Sequence, residues 1–328
     1  MSTLPSRIEI IEVGPREGFQ YEGIFRPDAI TVADKLRLIS SLGQTGVKVM
    51  QISSFVHPKI VPQMADAEAV LAGLQPVPGI AYTGIYLNDS GIKRALACPN
   101  LTMVADLVLS ASEAFSLRNQ KRDRAGDTEA ARAMASVYRA HGFKVTIGNI
   151  MAAFGCNFEG PVSLDRVLER AAVLQEIAEE TGSALELLNL ADTMGWADPA
   201  QIIATVQAVR EKFPHTRISL HLHDTRGLAI ANVYAALTVG VDRFETAIGG
   251  LGGCPFAGIA GAAGNVATEE VSLLCHRLGV ETGLDLNALM KATKIAEEVV
   301  GHKLASRLAN AGLPEGATGP LTLQKGAK

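Results

Sequence analysis

The chain has 328 residues, 48% of them apolar, and a formal charge of -4. That is ample material for a sizeable core, and the near-balance of charge leaves no basic stripe for nucleic acid and no polybasic tract for a membrane surface. The opening Met-Ser-Thr-Leu-Pro-Ser-Arg lacks the apolar core of a signal peptide, and no run approaches the roughly 18 apolar residues that span a bilayer. Four cysteines (Cys98, Cys156, Cys254, Cys275) are too few for a disulfide scaffold, so a reducing, cytoplasmic setting is expected.

Short β-branched runs alternate with longer stretches at helical spacing. Strands are predicted over 7–13, 47–54, 80–87, 103–110, 144–151, 184–190, 217–223 and 243–248. Between the fifth and sixth of these, Leu164–Glu180 places Leu164, Val167, Leu168, Ala171, Leu174 and Ile177 on one helical face. Asp198-Pro199 reads as a helix start, with a capping carboxylate followed by a proline that needs no hydrogen-bond partner. Eight strand-then-helix units predict an α/β fold, a single (β/α)8 TIM barrel over residues 1–283. Additional helices are expected at 284–311 and a flexible tail at 312–328. A doubly wound open sheet is the structural alternative; it lacks a glycine-rich phosphate turn after the first strand.

In such a barrel, chemistry sits at the carboxyl ends of the strands. Five strand ends carry polar residues. Strand one runs into Arg16-Glu17, strand two carries Gln51 and Ser53-Ser54, and strand six is followed by Asp192-Thr193. Strand seven contains His221-Leu-His223, and strand eight leads into a glycine-dense loop, 249–258, that holds Cys254 and precedes Asn265. Residues two apart on a strand face the same side, so both imidazoles point inward. They are either a hydrogen-bonded core pair or ligands of one ion. A set of two His, a carboxylate and an amide oxygen, with no thiolate, suits a divalent cation, Mg²⁺ or Mn²⁺ first. Asp224 is either a helix cap or a site residue. Arg118, Lys121, Arg122 and Arg124 form either a solvated loop or a landing site for substrate phosphates.

These residues resemble the 3-hydroxy-3-methylglutaryl-CoA lyase family. The matching stretches are Glu-Val-Gly-Pro-Arg-Glu-Gly (12–18), Ser-Phe-Val-His-Pro-Lys-Ile-Val-Pro-Gln-Met (54–64), Gly-Cys-Asn-Phe-Glu-Gly (155–160) and Asp-Thr-Met-Gly (192–195). His-Leu-His-Asp-Thr-Arg-Gly (221–227), Gly-Leu-Gly-Gly-Cys-Pro-Phe-Ala (250–257) and Gly-Asn-Val-Ala-Thr-Glu (264–269) follow in order. The resemblance implies a carbon–carbon lyase that cleaves a 3-hydroxyacyl-CoA to acetyl-CoA and a keto acid or ketone. It implies metal ligands at Glu17, His221, His223 and Asn265 and catalytic groups at Arg16, Asp192, His221 and Cys254. Substrate contacts are assigned to Gln51, Ser54 and Arg118, and a homodimer is expected. Two positions depart from the family pattern: Glu17 stands where the family has Asp, and Gln51 where it has Glu. The alternatives are a Claisen-type synthase running the reverse condensation and a catalytically weakened acyl-CoA-binding barrel.

Overall fold

The computed structural model describes residues 4–25, 30–253 and 264–314. Eight parallel strands form one sheet: β1 (Glu9–Glu12), β2 (Val49–Ser54), β3 (Ala81–Ile85), β4 (Asp106–Ser110), β5 (Ile147–Met151), β6 (Leu187–Asp192), β7 (Arg217–Leu222) and β8 (Arg243–Thr246). Their order is β3-β2-β1-β8-β7-β6-β5-β4, so every strand except β3 and β4 pairs with its neighbour in sequence, and β8 returns to β1. The seam between β3 and β4 is bridged by other contacts. The Thr102 N–H donates to the Tyr82 carbonyl at 2.7 Å, and the Tyr86 hydroxyl accepts from the Val104 N–H at 2.5 Å. The (β/α)8 barrel expected from the alternating pattern is the fold observed.

Helices follow the strands, and the starts of several are written in their capping residues. Asp123 accepts from the Gly126 N–H before α6 (Arg124–Ala140), Ser163 from Arg166 before α7 (Leu164–Glu180), and Asp198 from Ala200 and Gln201 before α8 (Pro199–Lys212). On α7, Val167, Ala171, Leu174 and Ile177 of the predicted face are buried and Leu168 partly so, whereas Leu164, in the first turn, is exposed. The remaining major helices are α2 (Val32–Leu42), α3 (Ala67–Gly73), α4 (Asp89–Leu96), α9 (Ala229–Thr238) and α10 (Thr268–Leu278). Short α1 (Phe19–Phe25) and α5 (Glu113–Gln120) lie at the strand ends, and α11 (Leu286–Val300) packs against α2, with α12 (Arg307–Ala311) after it.

Two details differ from the sequence pattern and bear on the site. All six residues from Leu187 to Asp192 are buried, so β6 runs later than predicted and ends on Asp192 instead of before it. Its burial on both faces removes the alternation that would have marked its limits. The segment after β1, given no element by the sequence pattern, is helical. Gly14–Gly18 forms a helical turn in which the Glu17 N–H donates to the Val13 carbonyl at 2.8 Å, and neither glycine has a positive φ. They are small because of what approaches them: a Cβ on Gly14 would lie 2.6 Å from Glu12 Oε1, and one on Gly18 2.8 Å from the Leu251 Cβ.

Candidate active site

The turn after β1 and the end of β7 meet at the same end of the barrel. There, Nε2 of His221 and Nε2 of His223 are 3.0 Å apart, and Glu17 Oε1 lies 3.1 Å from the latter and 3.6 Å from the former. These three ligand atoms all fall within 4.8 Å of one another, the geometry of donors converging on one point. Asn265 is brought alongside by its antiparallel bridge to His223. Its Nδ2 donates to the Leu251 carbonyl, which leaves Oδ1 buried without a partner. Gly252 separates Asn265 from Glu17. Its φ is +101°, and a Cβ there would stand 2.9 Å from Asn265 Nδ2 and 3.5 Å from Glu17 Cγ. The residues therefore fit a divalent cation: two imidazoles, one carboxylate, an orphaned amide oxygen and no thiolate.

The electrostatics follow from packing like and unlike charges together. Burial opposes a charge on Glu17, yet His221 and Arg16 outweigh it and hold its carboxyl well below the usual range. For His221, burial again opposes the charge, but Glu17 and Glu245 prevail and push the imidazole up to about 10. Glu245, on β8, was not singled out in the sequence. It sits beside His221 by strand register, and its Oε2 is 2.8 Å from His221 Nδ1. With Nδ1–H committed to that carboxylate, Nε2 is left facing the pocket. The signal available beforehand was a lone acidic residue in a short strand, Arg243–Thr246, at the step where the next strand of the barrel would face it. Replacing Glu245 with Ala is expected to weaken Mn²⁺ binding by about 10–100-fold while the barrel stays folded, measured by titration calorimetry. An unchanged affinity would show that His221 is oriented without it.

Arg16 is held at two nitrogens. Its Nε donates to Gln51 Oε1 at 2.5 Å, and Nη2 lies 3.0 Å from Glu17 Oε2. A register shift between Gln51 and Ser53 puts a bulge in β2, and bulges re-aim side chains at barrel rims. Ser54 is buried with its hydroxyl unpartnered. Asp192 is fully buried, and both of its oxygens accept backbone N–H groups, from Trp196 at 2.7 Å and Ala197 at 3.0 Å; burial raises its pKa. Asp224 resolves as a cap: Oδ1 accepts from the Ala229 N–H and Oδ2 pairs with Arg307. Arg118 lies away from the His pair's contacts, its guanidinium 4.2 Å from the centre of the Phe158 ring. Cys254 lies outside the described residues.

Beneath the site is a second feature missed in the sequence. Glu12 is 1% exposed, and three elements converge on it. Oε1 accepts from the Gly14 N–H (2.8 Å) and the Ile248 N–H (3.0 Å), and Oε2 from the Thr268 hydroxyl (2.6 Å). It thus ties the turn bearing Arg16 and Glu17 to the root of the glycine-rich loop and to α10. Burial, less these hydrogen bonds, pushes it up to about 7. A folded pKa above the unfolded value means the folded state binds the extra proton. Its stabilising share is therefore complete below about 4.5 and is lost as pH rises towards 7. Glu12→Ala, which strands three donors, is expected to cost about 2–4 kcal/mol in urea unfolding. Glu12→Gln can satisfy all three partners, and is expected to retain most of the stability while flattening its dependence between pH 5 and about 7. Parallel pH slopes for wild type and Glu12→Gln would contradict this.

Comparison with known proteins places the site in context. The HMGL-like family profile matches residues 7–296. The chain is 37% identical over 308 residues to the 3-hydroxy-3-isohexenylglutaryl-CoA/hydroxy-methylglutaryl-CoA lyase of Pseudomonas aeruginosa, covering 94% of this chain and 98% of that protein. It is 34% identical over 303 residues to hydroxymethylglutaryl-CoA lyase YngG of Bacillus subtilis, covering 92% and 96%. Among solved structures, the hydroxymethylglutaryl-CoA lyase from Pseudomonas aeruginosa superposes with a TM-score of 0.84 at 36% identity, over 94% of this chain and 98% of that one. An HMG-CoA lyase from Acinetobacter baumannii, solved with coenzyme A and 3-methylmalate, gives 0.81 at 34% identity, over 95% and 97%.

Proposed function

We propose a function for this chain on one premise: it belongs to the HMGL-like family, the hydroxymethylglutaryl-CoA lyases. It is a carbon–carbon lyase whose substrate is a 3-hydroxy-3-methylglutaryl-CoA-like 3-hydroxyacyl-CoA, cleaved to acetyl-CoA and a keto acid or ketone. The observation that carries the reading is the convergence of Glu17, His221 and His223 beside Arg16 at one end of the barrel.

Glu17, His221, His223 and Asn265 are proposed to hold a divalent cation, Mg²⁺ or Mn²⁺. Bound there, the cation would supply Lewis acidity that makes the substrate's 3-hydroxyl easier to ionise. Two groups of this chain are candidates for taking that proton. His221 faces the pocket through Nε2, and Asp192 lies close enough to be influenced by the His223 charge. If His221 is committed to the cation on Nε2 and to Glu245 on Nδ1, Asp192 is the acceptor left. As the C2–C3 bond breaks, its electron pair passes into the thioester, and the C3 oxygen becomes a carbonyl. Arg16, anchored by Gln51 and Glu17, is a fixed cation for the resulting enolate oxygen. Cys254 is proposed to protonate the enolate carbon, which completes acetyl-CoA. Gln51 and Ser54 would line the acyl end, and Arg118 would meet the phosphates of coenzyme A. We further propose a cytoplasmic homodimer. Among the described residues no helix is long and apolar enough to cross a membrane.

The test is a panel of 3-hydroxyacyl-CoAs incubated with the protein and Mg²⁺ or Mn²⁺, with acetyl-CoA release followed chromatographically. Release from a 3-hydroxy-3-alkylglutaryl-CoA is expected. Tight binding with no release from any member would favour a binding barrel instead.

A further inference from the structure

Glu17 uses its two oxygens for different partners. Oε1 faces the imidazoles, 3.1 Å from His223 Nε2, while Oε2 is 3.0 Å from Arg16 Nη2. At the neighbouring nitrogen of the guanidinium, Arg16 Nε meets Gln51 Oε1 at 2.5 Å, a neutral acceptor. Among the described residues, the carboxylate in contact with Arg16 is thus the one that also faces the ligand pocket. Glu245 is a second acidic group in the same pocket, committed to His221.

The balance is tight. Shortening Glu17 by one methylene withdraws its carboxylate by about 1.5 Å, so it can serve the imidazoles or Arg16 but not both. Arg16 would then keep only an amide partner in a largely buried site, an arrangement that is costly for a cation. Giving Gln51 a charge while Glu17 keeps its reach would set two carboxylates on one guanidinium, with Glu245 close by, and like charges resist such crowding.

We propose that residues 17 and 51 form one coupled charge device, in which the long Glu17 carboxylate serves both the cation pocket and Arg16 and thereby requires Gln51 to be neutral. This rests on the reading of Glu17 as a ligand. Moving the charge from one position to the other should restore the balance, so Glu17→Asp and Gln51→Glu should each do harm alone and compensate together. They are also the two positions at which the chain departs from the family pattern it resembles.

The experiment is a double-mutant cycle on the full chain, read in three ways: kcat/KM for acetyl-CoA release, Mn²⁺ affinity by calorimetry, and Tm of the cation-free protein. Each single substitution is expected to lower kcat/KM at least about tenfold. The double variant is expected to exceed the product of the two single effects by about tenfold or more, the scale of coupling between residues in contact. The same non-additivity is expected in Tm, which needs neither cation nor turnover. Independent effects in both kcat/KM and Tm would overturn the proposal. Failure of the unsubstituted protein to bind Mn²⁺ would instead overturn the ligand reading, so the two failures are told apart by different measurements. Should Gln51→Glu not fold alone, it is introduced only into Glu17→Asp. There it should raise Tm and activity above that single variant, and no rise would overturn the coupling.

Discussion

Dialysis against a chelator abolishes acetyl-CoA release, and added Mn²⁺ or Mg²⁺ restores it: this is the expected result with the largest effect. An alcohol proton is held about as tightly as that of bulk water, whose pKa is about 15.7, and a bound divalent cation acting as a Lewis acid lowers the pKa of an oxygen it binds. Each unit of that lowering is worth about 1.4 kcal/mol, so a shift of several units is more than a side chain here can replace. Undiminished turnover in protein shown by elemental analysis to be cation-free would sink the proposed chemistry.

Arg16→Met is expected to lower kcat by about 10²–10³-fold with a smaller change in KM, the usual cost of removing one preorganised group that stabilises a developing oxyanion. Arg16 suits that task because it does not move to perform it: Gln51 fixes Nε and Glu17 fixes Nη2 before substrate arrives. The loss should concentrate in kcat because the enolate charge exists only along the reaction, not in the bound ground state. Lysine at this position keeps the charge but not the two-point anchoring, so Arg16→Lys is expected to recover only part of the rate. Steady-state kinetics of the three proteins decide this. An Arg16→Met variant altered only in KM would reassign Arg16 to substrate binding.

Much of the site was legible because its residues break a simple pattern. His221 and His223 interrupt an apolar strand at a spacing of two, which places both on the inner face whatever the rest of the fold does. Arg16 and Glu17 follow a strand of buried residues, where charges need a reason. Glu245 carries the same kind of signal but more faintly, since a single acid in a four-residue strand says nothing about which strand lies next to it. Its role depends on pairing with His221, 24 residues away. Asp192 shows the opposite limit. Sequence marks it as a site residue, and only the fold shows that both of its oxygens also accept backbone N–H groups from the turn that follows.

By itself, then, the order of residues determined the eight strand–helix units, the Asp198 helix cap and the end of the barrel where the polar groups gather. These depend on periodicity and on contacts within a few residues. The tertiary structure alone decided that Glu12 gathers donors from three elements, that Gly14 and Gly18 are small because Glu12 and Leu251 press on them, and that Glu17 divides its oxygens between Arg16 and the histidines. The long-range contacts among these, from Ile248, Leu251, Thr268 and the histidines, are brought together by barrel closure, and no local pattern encodes the strand register that sets their distances.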